Sequence, residues 1–254
     1  MRAPMLSVVL ALALAGELWA AQARADQAYT VTGKDSFTIG GGDIESEVAY
    51  RGSQTLSVRH HGKTTRYVAR ADYVRTEEGA SSAQRGSFVA DMLPSGEQLD
   101  SANHDPDYLT VLNQPFSVEL DAGTLAALRR LSGPLPFAFP SPFASAPLRG
   151  FLVRIAGGRI GSQKVVGVRF SAGGPMRGAL PDRPGLTLLG TIEMHGSAFY
   201  GEMSDLLLAL DATVTISGSV ANTTGKDQVT IVYRRTIRAG QASSAAAESS
   251  KPTP

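Results

Sequence analysis

The chain's side-chain alternation predicts a mainly β protein: a single curved antiparallel sheet, half-barrel or barrel-like, with one short helix and a Phe/Pro-rich covering loop. Three observations carry this. Apolar and polar residues alternate over several long runs, which is the pattern of strands with one dry and one wet face. Helical spacing with end signals occurs in one segment, around Leu125, Leu128 and Leu131. Five prolines and three phenylalanines crowd the stretch Gly133 to Arg149, where neither helix nor central strand is expected.

The first 25 residues read as an address rather than as part of the fold. Arg2 gives a positive start, Met5 to Ala15 is an apolar run, and Ala23-Arg24-Ala25 is a small-x-small cleavage site, with Ala21-Gln22-Ala23 as a nearby alternative. A membrane-spanning helix needs about 20 mainly apolar residues, and Glu17 interrupts this run well before that. Export to a bacterial periplasm or beyond the cell is the expectation. Arg2, Arg24 and Glu17 leave with the leader, so 24 basic and 23 acidic residues become 22 and 22.

Strands follow. Ile44, Ser46, Val48 and Tyr50 share one parity, opposite Asp43, Glu45 and Glu47. Thr65, Tyr67, Ala69, Ala71 and Tyr73 alternate with Thr64, Arg66, Val68, Arg70 and Asp72. One wet face per strand argues for antiparallel pairing, since strands of parallel sheets are commonly apolar on both faces. After the helix, with Asp121 as its N-cap and Gly133 as its stop, Phe151, Val153 and Ile155 lead into a turn at 157–161. Val166, Val168 and Phe170 return from it. Ile192 to Tyr200, then Leu206, Leu208, Leu210, Ala212, Val214 and Ile216, and finally Val229, Ile231, Tyr233 and Ile237 form further inward rows. Residues 26–238 are thus expected to form one β-rich domain. Residues 239–254 are small, polar and without periodicity, and are expected to be a disordered tail.

Composition excludes much chemistry. Without cysteine there is no disulfide framework, thiolate metal site or catalytic thiol. A neutral mature chain lacks the electrostatic footprint of a nucleic-acid binder. No Gly-x-Ser-x-Gly elbow or Ser-x-x-Lys pair is present. A hydrolase would have to assemble its site in space around His104 or His195, and His195 falls on an outward parity beside Glu193. His60 and His61 are adjacent at a hairpin end and point to opposite sides. Residues 100–107 concentrate oxygen donors that calcium could use, but Asn, Asp and Pro are also ordinary turn residues. Six basic residues between Arg51 and Arg75, against Asp72 alone, read as a solvated face with pairs to Glu45 and Glu47. No cofactor is called for.

Two features stand out. The Phe/Pro stretch is too apolar for a solvated loop, so it is expected to pack down as a lid or to serve as a sticky tip. The inward rows mix small residues (Ser46, Ala69, Ala71, Gly190, Gly196, Ala198, Ala212) with tyrosines (Tyr50, Tyr67, Tyr73, Tyr200, Tyr233), which either interdigitate or line a cavity. Arg235 shares their parity and, inside a cavity, would meet an anionic headgroup. The resulting expectation is a non-catalytic protein that binds an apolar or amphipathic ligand, such as a lipid, between sheet and lid. Leu125, Leu128, Phe137, Phe139, Phe143, Tyr200, Tyr233 and Arg235 are its candidate contacts. Periplasmic carriers of lipids and lipoproteins share this broad layout, a likeness of layout alone. The alternative is a structural or interaction module of the cell envelope or of a secreted assembly.

Overall fold

The structure is a computed structural model, and it describes residues 26–40, 42, 44–93, 98–111, 120, 122–139, 147–180, 183–222 and 225–240. Eleven strands form one sheet: β1 (Gln27–Ile39), β2 (Ser46–His61), β3 (Thr64–Glu77), β4 (Ala80–Met92), β5 (Gln98–Asn103), β6 (Leu135–Phe139), β7 (Leu148–Ile160), β8 (Gln163–Leu180), β9 (Arg183–Gly201), β10 (Leu207–Asn222) and β11 (Gly225–Ala239). The one helix among the described residues, α1 (Ala122–Arg130), lies between β5 and β6 in the chain. Spatial order is β5-β4-β3-β2-β1-β11-β10-β9-β8-β7-β6, with every neighbouring pair antiparallel. The sheet is therefore a meander cut once, with the first and last strands joined at its centre. It does not close among the described residues, because β5 and β6 are its two edges.

That order decides where a cover can come from. The chain leaves one edge at Asn103 and enters the other at Leu135, so the connection between them must cross the mouth of the sheet. It carries α1 and the segment 104–111, and Leu109, Val111, Leu120, Leu125 and Leu128 are all buried in the same apolar cluster as the inner rows of the sheet. Inner rows follow the alternation: Val31, Tyr50, Ala69, Ala71, Ala90, Val168, Ile192, Ala198, Val214 and Ile237 are buried. Backbones come close enough on this side to forbid side chains at some crossings. A Cβ on Gly190 would lie 2.0 Å from the Ser217 carbonyl oxygen and 2.6 Å from the Gly218 Cα of the paired strand.

Several local expectations shift. In β7 the inward residues are Leu148 and Leu152, whereas Phe151 is 50% exposed and faces out. The predicted row Phe151, Val153 and Ile155 is thus the outer row. The outer side is apolar here as well, so alternation alone does not say which face is dry. The turn that follows is Gly161-Ser162, later than 157–161, with Gly161 at φ 57° as a two-residue hairpin turn needs. A bulge between Leu207 and Ala209 puts Leu207 in the core cluster in place of Leu206 and Leu208, while Leu210, Ala212, Val214 and Ile216 keep the predicted inward row. Ile44 and Leu131 are exposed. Part of the Phe/Pro stretch is a strand: Leu135 to Phe139 pairs with β7, and Pro136 is tolerated because β6 is an edge. The N-cap at Asp121, the leader and the tail beyond Gly240 lie outside the described residues.

Candidate functional site

Register builds the site. On the inner face three successive cross-strand rows run over β11, β1, β2 and β3. The first holds Arg235, Gly33, Tyr50 and Arg75; the second Tyr233, Asp35, Val48 and Glu77; the third Ile231, Phe37 and Ser46. Above them Pro106, Asp107 and Tyr108 of the edge-to-edge connection form a roof, and a cavity of about 450 Å³ lies between. Phe37, Val48, Ile231 and Tyr233 give it an apolar wall, while Asp35, Tyr50, Arg75, Glu77 and Asp107 supply polar groups.

Arg235 organises the wall behind this space. Its side chain is 1% exposed and meets both carboxylate oxygens of Asp35, the two-pronged geometry a planar guanidinium favours. The two residues are diagonal neighbours, since Arg235 pairs with Gly33 and Asp35 pairs with Tyr233. Gly33 leaves the room: a Cβ there would lie 3.1 Å from Arg235 Cδ and 3.2 Å from Tyr50 Cδ2. The guanidinium also stacks 5.1 Å from the Tyr50 ring centre and 5.8 Å from that of Tyr233. Burial works against its charge, but the Asp35 carboxylate outweighs that and holds the guanidinium above its ordinary pKa.

Arg235 also pins the roof. Its Nη2 donates to the Asp107 carbonyl at 2.8 Å, and its Nε to the Tyr108 carbonyl at 3.4 Å. The Asp107 carboxylate accepts from the Tyr73 hydroxyl at 2.6 Å and the Tyr50 hydroxyl at 3.3 Å, and stands 3.7 Å from Arg75 Nε. Burial pushes both phenols up; for Tyr73 the hydrogen bond to Asp107 adds to the shift. Further along, Asp105 lies flat over Gly86 of β4, where a Cβ would come within 2.5 Å of its Oδ1. Its Oδ2 accepts from the Thr110 amide at 2.7 Å, and burial raises its carboxyl pKa. Gln54 Oε1 accepts from the Val111 amide at 2.5 Å. Polar side chains reaching from three strands, β2, β3 and β11, thus hold a segment that has no regular structure of its own.

The sequence-predicted contacts fall into two groups. Tyr233 and Arg235 belong to the cavity and its wall. Leu125, Leu128, Phe139 and Tyr200 are wholly buried in the common core, with Phe139 packed 4.7 Å from the Phe137 ring and 6.1 Å from Phe170. Phe137 is partly buried against the same core. Phe143 lies outside the described residues. Arg129 anchors the C-terminal end of α1 by ion pairing with Asp205 at 2.6 Å and donating to the Glu202 carbonyl at 3.0 Å.

Sequence reasoning missed Asp35, Phe37 and the roof. Of residues 100–107, read as turn chemistry or a cation site, 100–103 belong to β5, while the turn at 106–107 and its neighbour Asp105 supply the carboxylates that fasten the roof. Asn103 Oδ1 accepts from the Asp105 amide at 2.9 Å, a local turn bond. Arg75, grouped with the outer basic face, sits on the inner parity and pairs with Glu77 at 2.6 Å. On the outer face Lys34 pairs with Glu47 at 2.6 Å. His104 and His195 are both exposed. Among the described residues no group of three or more His, Asp or Glu is placed to hold a metal ion, and no helix is long and apolar enough to cross a membrane. No family model matches the chain, and no curated protein matches its sequence.

Proposed function

We propose that the protein is an exported, non-catalytic binding protein that takes an apolar or amphipathic small molecule, such as a lipid, between its sheet and the segment crossing it. The cavity under Pro106, Asp107 and Tyr108 carries the reading. Its volume of about 450 Å³ falls in the range of small-molecule sites, about 300–1,000 Å³. An apolar wall beside a few fixed polar groups is the usual composition of such sites. The leader-like first 25 residues support export. The Phe139 ring, by contrast, is fully buried and packed against Phe137 and Phe170, away from this cavity's lining.

Ser46 tests this. It is half-buried at the start of β2 and lines the cavity opposite Phe37, so Ser46→Trp places an indole in the space while leaving the core rows untouched. Wild-type protein is expected to enhance a hydrophobic dye's fluorescence or to carry extractable ligand, and Ser46→Trp to lose both with its melting temperature retained. Dye-silent wild-type protein without extractable ligand, or dye binding unchanged by Ser46→Trp, overturns the reading.

A further inference from the structure

The charges around the cavity are more informative than its shape. An arginine in the wall of an apolar cavity suggests an anionic partner, but Arg235 has nothing left to offer one. A guanidinium has five N–H donors. In Arg235 two go to Asp35, one to the Arg234 carbonyl at 2.9 Å, one to the Asp107 carbonyl at 2.8 Å and one to the Tyr108 carbonyl at 3.4 Å. The other cation, Arg75, is engaged by Glu77 at 2.6 Å and stands 3.7 Å from Asp107. Against these two guanidiniums the lining presents three carboxylates, Asp35, Glu77 and Asp107. Setting the Asp35–Arg235 pair aside as neutral, Arg75 faces two carboxylates, and the space a ligand would enter keeps one negative charge in excess. Low-dielectric walls such as Phe37, Val48 and Ile231 make that excess count for more than it would in water.

We propose, building on the binding reading above, that the cavity selects amphipathic ligands with a cationic head, alkylammonium in chemical class, over those with an anionic one. The apolar tail lies along Phe37, Val48 and Ile231, and the ammonium group sits by Glu77 and Asp107 near the ring of Tyr108. A carboxylate or phosphate head in the same place meets two carboxylates and no free donor from Arg235.

Calorimetric titration of the full chain with octylammonium, octanol and octanoate, each below its aggregation concentration, separates the possibilities. Octylammonium is expected to bind at least about tenfold more tightly than octanoate at low salt, with octanol between them. Glu77→Gln removes one carboxylate and frees Arg75, so it should shrink that ratio toward unity. Ser46→Trp should abolish binding of all three. Octanoate or octanol binding as tightly as octylammonium overturns the charge selection and leaves the binding reading standing. A preference unchanged in Glu77→Gln also overturns it, since the selecting charge is then elsewhere. Binding of none of the three overturns both.

Discussion

Arg235 and Asp35 show how much a single buried pair can organise. Both sit on the inner face, and an arginine there cannot shed its proton to escape burial. Removing its carboxylate partner therefore strands a charge, whereas replacing both groups by neutral ones of similar size strands none. Asp35→Asn is expected to destabilise the protein by about 3–5 kcal/mol, the usual result of breaking a buried pair from one side. The double variant Asp35→Asn with Arg235→Met should lose less than the sum of the single changes. Urea unfolding of the four proteins measures this. Additive losses would mean that the pair is not coupled. The roof adds a second consequence, because Arg235 fastens the Asp107 and Tyr108 carbonyls. Variants lacking it should expose residues 105–111 to proteolysis before the sheet itself unfolds.

Among the elements, β7 is the sharpest test of how faces are assigned. Leu152 has no exposed surface and pairs with Phe170, whereas Phe151 is half in solvent. Leu152→Ala should destabilise by about 2–5 kcal/mol, as for other buried leucines. Phe151→Ala should cost less than about 1 kcal/mol, since much of its ring is already in water. Equal losses would put β7 in the opposite register. Strands β3, β9 and β11 were legible because, Arg75 and Arg235 apart, their inner rows are mostly apolar or aromatic and their outer rows mostly polar, as with Ile192, Met194 and Ala198 against Glu193, His195 and Ser197. In β1 the inner row runs Val31, Gly33, Asp35, Phe37. A glycine and an acid in that row break the apolar alternation, and they are the residues that make the site. In β4 the inner row sets Phe88 between Gly86 and Ala90, and two such small residues leave a weak signal. β6 was hidden by Pro136 within it, which an edge strand accommodates. The roof could not be read at all. It has no periodicity, and what holds it is long-range: Arg235 is 128 residues from Asp107, and Gln54 is 57 from Val111.

For the molecule as a whole, the strand order makes the last strand the keystone. β11 lies between β1 and β10, pairing with β1 from Tyr29–Ala239 to Ile39–Val229 and with β10 over most of its length. It thus joins the half of the sheet built by residues 27–103 to the half built by 135–222. Its inner residues Val229, Ile231, Tyr233, Arg235 and Ile237 belong to the core or to the buried ion pair with Asp35. A chain ending at Thr224 would leave two long strands, β1 and β10, with unpaired backbone in the middle of the sheet, and Asp35 without its arginine. Such edges favour aggregation over folding. The truncated chain is therefore expected to lack a cooperative melting transition and to aggregate. A chain ending at Gly240 keeps every described strand pairing and should melt like the full-length protein. Circular dichroism melts of the two truncations decide the point, and a cooperative transition in the chain ending at Thr224 would show that the halves fold separately. The same topology makes folding wait on contacts about 200 residues apart, such as Asp35 with Arg235. Refolding should therefore be slow, on the order of milliseconds to seconds or longer, and slowest for variants that weaken the β1–β11 seam.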